Sequence, residues 1–179
     1  MYTIGHLALG YLASRAVGDN SKINLPLVFT VSIIPDIDIL IPMIPHRGPT
    51  HSIVLAFLLL LPIFYYRRTQ AYIYYVAYAS HLVSDLVAGG YYSRSKLLWP
   101  LSDQWVMIHP KLIMGSREEA IFEIFLLCSA LIVIWMTKDF KPLLEYDDSN
   151  FLLFFPCGTV LASFFFILYH IINLTNVEQ

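Results

Sequence analysis

The sequence predicts an all-α membrane protein, a polytopic bundle of about five transmembrane helices preceded by a short N-terminal helix. Its 179 residues are 58% hydrophobic and only 13% charged, and the mean hydropathy of +0.64 is far above that of soluble domains. Apolar runs near the about 20 residues that cross a bilayer core recur between breakers and charge clusters. The length fits one domain, so a single membrane-embedded domain is predicted over residues 1–179.

The predicted helices follow these runs in order. The first, over 4–17, is short and mildly apolar, so we expect it to lie tilted or to enter the membrane part way. Pro35 falls inside the next run and is expected to kink it. A turn at Gly48–Pro49 precedes the third helix, with Thr50 as its N-cap. The run over 118–137 opens with glutamates, which the helix dipole favours at that end. The crossing helices are predicted at 25–44, 51–66, 70–89, 118–137 and 151–172.

The longest segment outside these helices is 90–117, which is predicted to lie along the membrane interface. It contains Trp99 and Trp105 among tyrosines and basic residues, a composition typical of that position. The whole pattern indicates a multi-pass protein of the cell membrane. The net charge of −2 gives no basic surplus for binding phosphate backbones, so nucleic acid is not expected as a partner.

Ionisable residues lie near one end of each of the first five predicted helices. If the chain crosses the membrane at each helix, all of them reach the same side. Such side chains cost roughly 2.5–3.5 kcal/mol each to insert, so they normally face an interior cavity. Basic loop residues number six on the far side and five beside the ionisable group, which favours the outer face by one residue. The predicted site contains His6, Asp36, Asp38, His51, His81, Asp85, Glu119 and Glu123.

Two short motifs contain candidate metal ligands. In "HLVSD", His81 and Asp85 are four residues apart and share one helix face, an imidazole and carboxylate pair suited to zinc, manganese or iron. A hydrogen-bonded pair between helices is the alternative. In "IIPDIDIL", Asp36 and Asp38 stand in an apolar segment, where a divalent cation would compensate their charge. The alternative is that both acids face water at the end of a helix.

The stretch "PHRGPTHS" is predicted to place its side chains at the same site. His51, at the start of a helix, would point at the other ligands, while Arg47 offers a forked donor for a phosphate or carboxylate. His46 could be a further ligand or a general acid near neutral pH. The alternative is a polar turn with interfacial histidines.

The stretch "SREEAIFEIF" adds two glutamates on one helix face. Glu119 lies in the first turn, where the helix dipole alone explains an acid, but Glu123 lies a turn deeper and is a functional candidate. Arg94 is on the same side and could contact an anionic substrate. His109 and His170 are predicted to be structural, as are Cys128 and Cys157 within apolar helices.

The ordered set of His6, "PDID", "HRGPTHS", "HLVSD" and "LLWPLS" resembles a family of membrane-bound, metal-dependent hydrolases, the LexA-binding, inner-membrane-associated, YdjM-like proteins. The resemblance covers roughly residues 1–125. "HLVSD" followed by "EEAIFE" is remotely similar to the zinc-dependent phospholipase C and single-strand nuclease superfamily, in which an HxxxD pair and an HxxxE pair hold zinc in an all-helical fold. Glu119 stands where the second pair has histidine, so a site of one or two ions is implied.

These similarities imply hydrolysis assisted by one or two divalent ions. Zn²⁺ is the preferred ion, with Mn²⁺ and Fe²⁺ as alternatives. The base would be a carboxylate of the Asp36 and Asp38 pair, by preference Asp36, while His46 and Arg47 would meet the leaving group or the substrate anion. Arg94 would bind substrate, with an interfacial basic residue as the alternative. The expected substrate is a phosphoester or ester of a lipid or lipid-linked molecule. The alternatives are a transporter or metal-permeation protein without hydrolytic activity, and an adaptor whose metal only ties helices together.

Overall fold

The structure is a computed structural model that describes residues 1–18, 23–41, 43–66, 70–88, 93–108 and 112–141. The predicted helix over 151–172 lies outside these residues, as do His109, His170 and Cys157. All of the candidate site residues named above lie within them.

The described chain is mostly helical, which confirms the all-α prediction. The helices are α1 (Thr3–Val17), α2 (Leu25–Ile33), α3 (Ile53–Tyr66), α4 (Ala71–Val87) and α5 (Arg117–Thr137). A two-stranded antiparallel ribbon lies in the predicted interfacial segment. Its strands are β1 (Arg94–Ser95) and β2 (Val106–Met107), with Arg94 opposite Met107.

Two helices share the centre of the packing, because α1 contacts α2, α4 and α5, and α4 contacts α1, α2 and α3. Tyr11, fully buried on α1, lies in an apolar core to which all five described helices contribute residues. Gly5 lets α5 approach, since a Cβ there would come within 2.9 Å of the carboxyl carbon of Glu123. Gly10 does the same for α2, where an added Cβ would collide with Ser32. Small residues at such crossings allow close helix contact in membrane proteins.

The predicted helix over 25–44 is interrupted. The α-helical part ends at Ile33, and the chain continues as a first 3₁₀ helix over Ile34–Leu40. Pro35 is the physical cause, because proline has no N–H to donate and its ring clashes with the preceding turn. The prediction of one helix over 25–44 is therefore wrong, and the break places Asp36 and Asp38 on the 3₁₀ helix.

The third helix begins two residues later than predicted. Pro49–His51 forms a second 3₁₀ helix, and α3 starts at Ile53. Its cap is Ser52, whose Oγ accepts hydrogen bonds from the N–H groups of Val54 at 3.1 Å and Leu55 at 3.3 Å. Thr50 as N-cap is therefore wrong, because its hydroxyl donates to Asp38 instead.

Among the described helices, α5 is the one that is long and apolar enough to cross a bilayer, with 21 residues. A shorter apolar stretch, Ile53–Pro62, lies in α3. The outward side chains of α5 are large and apolar, including exposed Ile121, Phe125 and Trp135. Such a surface favours lipid over water as its surroundings.

Candidate metal centre

Four of the candidate ligands meet at one point of the fold. Asp36, His51, His81 and Asp85 each offer a donor atom, and these atoms all lie within 4.8 Å of one another. The first 3₁₀ helix supplies Asp36, the second supplies His51, and one face of α4 supplies the other two. We call these residues the four-residue group.

The two imidazoles point their Nε2 atoms at each other and at the carboxylates. His51 Nε2 lies 3.2 Å from His81 Nε2 and 3.2 Å from Asp85 Oδ2. Oδ1 of Asp36 lies 3.6 Å from His51 Nε2 and 3.5 Å from His81 Nε2. The histidines and Asp85 are buried, whereas the side chain of Asp36 is 22% exposed and leaves the group open on one side.

The opposite ring nitrogens fix which tautomer each histidine adopts. His81 Nδ1 lies 2.7 Å from the carbonyl oxygen of Ser32, which can only accept, so Nδ1 carries the proton. His51 Nδ1 lies 3.4 Å from Asp38 Oδ2 and 3.2 Å from the hydroxyl of Thr50. A carboxylate at Nδ1 likewise leaves the Nε2 lone pair of His51 available to the group.

Asp38 stabilises the loop that carries His51 through several contacts with it. Its Oδ2 accepts hydrogen bonds from the Arg47 N–H at 3.0 Å and the Thr50 hydroxyl at 2.7 Å, and its Oδ1 lies 2.9 Å from His46 Nδ1. Arg47 has a left-handed backbone with φ of 62°, which costs roughly 1–2 kcal/mol and is held by the first of these bonds. Asp38, His46 and His51 also offer three donor atoms within 4.8 Å of one another.

Asp85 is shared between two sets of partners. Its Oδ2 faces the four-residue group and lies 3.1 Å from Arg47 Nε. Its Oδ1 lies 3.3 Å from His6 Nε2, and the other ring nitrogen of His6 is 2.9 Å from the Ser84 hydroxyl. The His6 and His81 rings are stacked, with centroids 3.8 Å apart. His6 therefore lies beside the group, next to one of its carboxylates.

Glu119 and Glu123 are fully buried but do not join the four-residue group. Glu119 Oε2 accepts from the Gly115 N–H at 2.6 Å, and Glu123 Oε1 accepts from the Tyr2 N–H at 2.6 Å. The α-amino group of Met1 lies 3.5 Å from Glu119 Oε1 and 3.8 Å from Asp85 Oδ1. We call this neighbouring region the glutamate pocket.

The electrostatics of the glutamate pocket act on a nearby phenol. Burial raises the pKa of Tyr2, and the carboxylates of Glu119 and Glu123 raise it further. Glu119 Oε1 and Glu123 Oε2 are buried and have no hydrogen-bond partner among the described residues. The pocket therefore gathers two buried carboxyl groups and the α-amino group of Met1 beside Asp85.

Arg94 and His46 lie toward the surface. Arg94 is exposed on β1, with its guanidinium carbon 4.5 Å from the centroid of the Trp105 ring. The side chain of His46 is 46% exposed and meets His51 edge to face, with ring centroids 5.3 Å apart. His46 is thus at the open side of the site, whereas no contact joins Arg94 to the four-residue group among the described residues.

Sequence reasoning missed the groups that hold the ligands in place. Ser84 follows His81 by three residues on α4, so helical spacing could have indicated a site-facing hydroxyl. Thr50 lies within the motif already singled out, but was assigned to a cap. The carbonyl of Ser32 had no sequence signal, because every residue carries one.

The residues of the four-residue group fit a divalent cation. Asp85 Oδ2 is buried and forms an ion pair with Arg47 Nε at 3.1 Å, and two imidazole Nε2 atoms also lie within 3.7 Å of it. Two imidazole nitrogens and two carboxylate oxygens are a donor set that zinc, manganese and iron accept. A bound cation would compensate both the carboxylates and the converging lone pairs.

The fold and the site define the class of this protein as a helical protein with a candidate metal centre built from buried histidines and aspartates. The family model of the YdjM inner membrane proteins matches residues 1–175. The chain belongs to the YdjM inner membrane protein family, which confirms the predicted YdjM-like resemblance and the membrane localisation. No curated protein and no solved structure matches the chain.

Proposed function

We propose that this protein is an integral membrane hydrolase that depends on a divalent metal and cleaves a phosphoester or ester of a lipid or lipid-linked substrate. The observation that carries the proposal is the convergence of Asp36, His51, His81 and Asp85 within 4.8 Å. Three of these side chains are buried, while Asp36 is partly exposed. A metal site that keeps an open side is typical of catalysis, whereas closed coordination is typical of a structural role.

The four-residue group would hold the ion, Zn²⁺ by preference with Mn²⁺ or Fe²⁺ as alternatives. His6, 3.3 Å from the second oxygen of Asp85, would support that carboxylate or bind a second ion. A bound ion of this kind lowers the pKa of a coordinated water and polarises a phosphoryl or carbonyl oxygen.

Residues on the open side would supply proton transfer and substrate binding. Asp36 directs Oδ1 at the two histidines, which leaves Oδ2 to take a proton from the attacking water. His46 uses Nδ1 toward Asp38, so its Nε2 is available to protonate a leaving group at the surface. Arg47, whose Nε lies 3.1 Å from Asp85 Oδ2, would direct its remaining donors at the substrate anion.

The proposal includes a multi-pass arrangement with the site near one membrane face, the outer one by the loop charges. It is supported by membership of an inner membrane protein family and by the exposed apolar surfaces of α3 and α5. The lipid substrate follows from the position of the site in such a protein, where lipid headgroups are the nearest abundant esters.

Metal analysis and a substrate panel test this function together. Purified protein should contain a divalent metal at near stoichiometric level and should hydrolyse at least one of a set of phosphomonoesters, phosphodiesters and lipid esters. His51→Ala and Asp85→Ala should each abolish turnover, because both remove a donor from the group. Asp103→Asn, at an exposed carboxylate of the interfacial segment, is the matched control and should retain full activity.

Three results would contradict the proposal. Fully folded protein that holds no metal and is unaffected by chelators would show that the four-residue group is not a metal site. Turnover that survives both alanine variants would place the chemistry elsewhere. Metal flux into vesicles in the absence of any turnover would support a permeation protein instead.

A further inference from the structure

The first 3₁₀ helix has two chemically opposite sides. Asp36 and Asp38 face the site, while the residues between and after them point outward and are large and apolar. Leu40 is 72% exposed and Met43 is 100% exposed. We call the outward residues the apolar rim, and they are Ile37, Ile39, Leu40, Ile41 and Met43.

The apolar rim borders the open side of the site. Ile37 directly follows the partly exposed Asp36, and Asp38, one residue further, holds the half-exposed His46 through its Oδ1. Apolar side chains this exposed over one short stretch are unfavourable in water, at roughly 25 cal/mol per Å². The polar opening and the apolar rim thus form a single amphipathic mouth.

A second observation places this mouth at the level of lipid headgroups. In the ribbon, Arg94 and Lys96 both lie over the ring of Trp105, at 4.5 Å and 5.2 Å from its centroid. Tryptophan with basic side chains is typical of the membrane interface. The ribbon is fixed to the site loop, because the Lys96 N–H donates to the Arg47 carbonyl at 3.1 Å and Ser52 donates to the carbonyl of Leu97.

We propose that the apolar rim is immersed in the bilayer beside this interfacial ribbon, and that the site receives its substrate laterally from the membrane. Acyl chains of a bilayer lipid lie against the rim, and the headgroup reaches Asp36 and His46. The lateral delivery rests on the proposed hydrolytic function, whereas the immersion of the rim does not.

Spin labels at single cysteines test the immersion. The background carries Cys128→Ser and Cys157→Ser, and the full chain is reconstituted in vesicles of phosphatidylethanolamine and phosphatidylglycerol. Labels at Leu40→Cys and Met43→Cys should collide more readily with oxygen, which concentrates in lipid, than with a water-soluble nickel chelate. Ile132→Cys on the exposed face of α5 is the lipid control, and Lys141→Cys, exposed in the polar segment after α5, is the aqueous control.

Two outcomes of the labelling overturn the proposal. Nickel accessibility at positions 40 and 43 that equals that at Lys141→Cys would place the rim in water. Protection of both labels from both reagents would mean that protein covers the rim, with a second copy of the chain identified by spin-spin broadening.

Lateral delivery is tested with a matched pair of variants. The double variant Ile39→Ser and Leu40→Ser should lower the rate on long-chain lipids in vesicles about tenfold and leave a water-soluble ester of the same headgroup unaffected. Ile132→Ser should change neither rate. An equal loss on both substrates would overturn lateral delivery. Absence of any turnover in the parent protein would instead defeat the hydrolytic function, while the labels would still decide the immersion.

Discussion

The four-residue group and the glutamate pocket are neighbouring clusters of buried acids, yet they are built on different partners. In the four-residue group, the carboxylate oxygens of Asp36 and Asp85 face imidazole nitrogens whose lone pairs point inward. In the glutamate pocket, Glu119 and Glu123 each bind a backbone N–H at 2.6 Å. Asp85 touches both regions, with one oxygen directed to each.

The difference shows that burial alone does not make a carboxylate a metal ligand. Backbone N–H groups already compensate part of the charge of Glu119 and Glu123, and they fix the ends of α1 and α5. The imidazoles of the four-residue group add lone pairs, which only a cation or a proton can compensate. The nature of the partner therefore distinguishes the candidate ligands from acids that hold helices together.

The strongest test of this comparison is Asp85→Asn beside Glu123→Gln. Both changes replace a buried carboxyl group by an amide of the same shape. Asp85→Asn should lower the affinity for zinc at least about 100-fold, because it replaces an anionic carboxylate donor of the group by a neutral, weakly binding amide. Glu123→Gln should leave that affinity within a few-fold of the parent. Competition with a chromophoric chelator measures the zinc affinity of both variants. An equal loss of affinity in the two would show that the four-residue group and the glutamate pocket form one metal site.

A smaller effect on zinc affinity is expected for Asp38→Asn. This variant distinguishes a residue that binds the metal from one that orients a ligand. Asp38 holds His51 Nδ1 and three other donors of the loop, so its loss should lower zinc affinity about 10–100-fold, in the range seen for groups that orient a ligand. Thr50→Ala removes one of those donors and should cost less. If Asp38→Asn lost as much zinc affinity as Asp85→Asn, Asp38 would itself be a metal ligand.

The smallest effect is expected for Glu123→Ala, and it concerns stability. The substitution removes the carboxylate that accepts from the partly buried Tyr2 N–H, which should lower the free energy of unfolding by about 1–3 kcal/mol. Glu123→Gln keeps an acceptor oxygen and should recover most of that loss. Thermal unfolding in detergent measures the difference. A lower zinc content in Glu123→Ala at full folding would contradict the structural role.

The sequence was sufficient to place most of the helices. The observed bounds of α1, α4 and α5 lie within two residues of the predicted 4–17, 70–89 and 118–137, because long apolar runs bounded by breakers leave few alternatives. The run over 25–44 is predicted as one helix with a kink at Pro35, whereas the α-helix ends at Ile33 and a 3₁₀ helix follows, because the effect of the proline exceeds that of the apolar composition. The ribbon over 94–107 depends on contacts between distant residues, which single-sequence patterns do not show.

The site could be predicted in part for a related reason. The spacing of His81 and Asp85 follows from helix geometry, and counting membrane crossings brought Asp36 and His51 to the same side. That counting measures depth only, so it could not separate Glu119 and Glu123 from the group. Their separation depends on how close α1 approaches α5 at Gly5, which is a property of packing.

Pro35 has an effect on the chemistry as well as on the helix. In a 3₁₀ pattern the carbonyl of Ser32 would bind the N–H of residue 35, and proline has none to offer. That carbonyl instead accepts the Nδ1 proton of His81 at 2.7 Å. Transfer of this centre into another helical scaffold would therefore have to include the helix break. In an uninterrupted helix the His81 ring would lack this acceptor and could rotate.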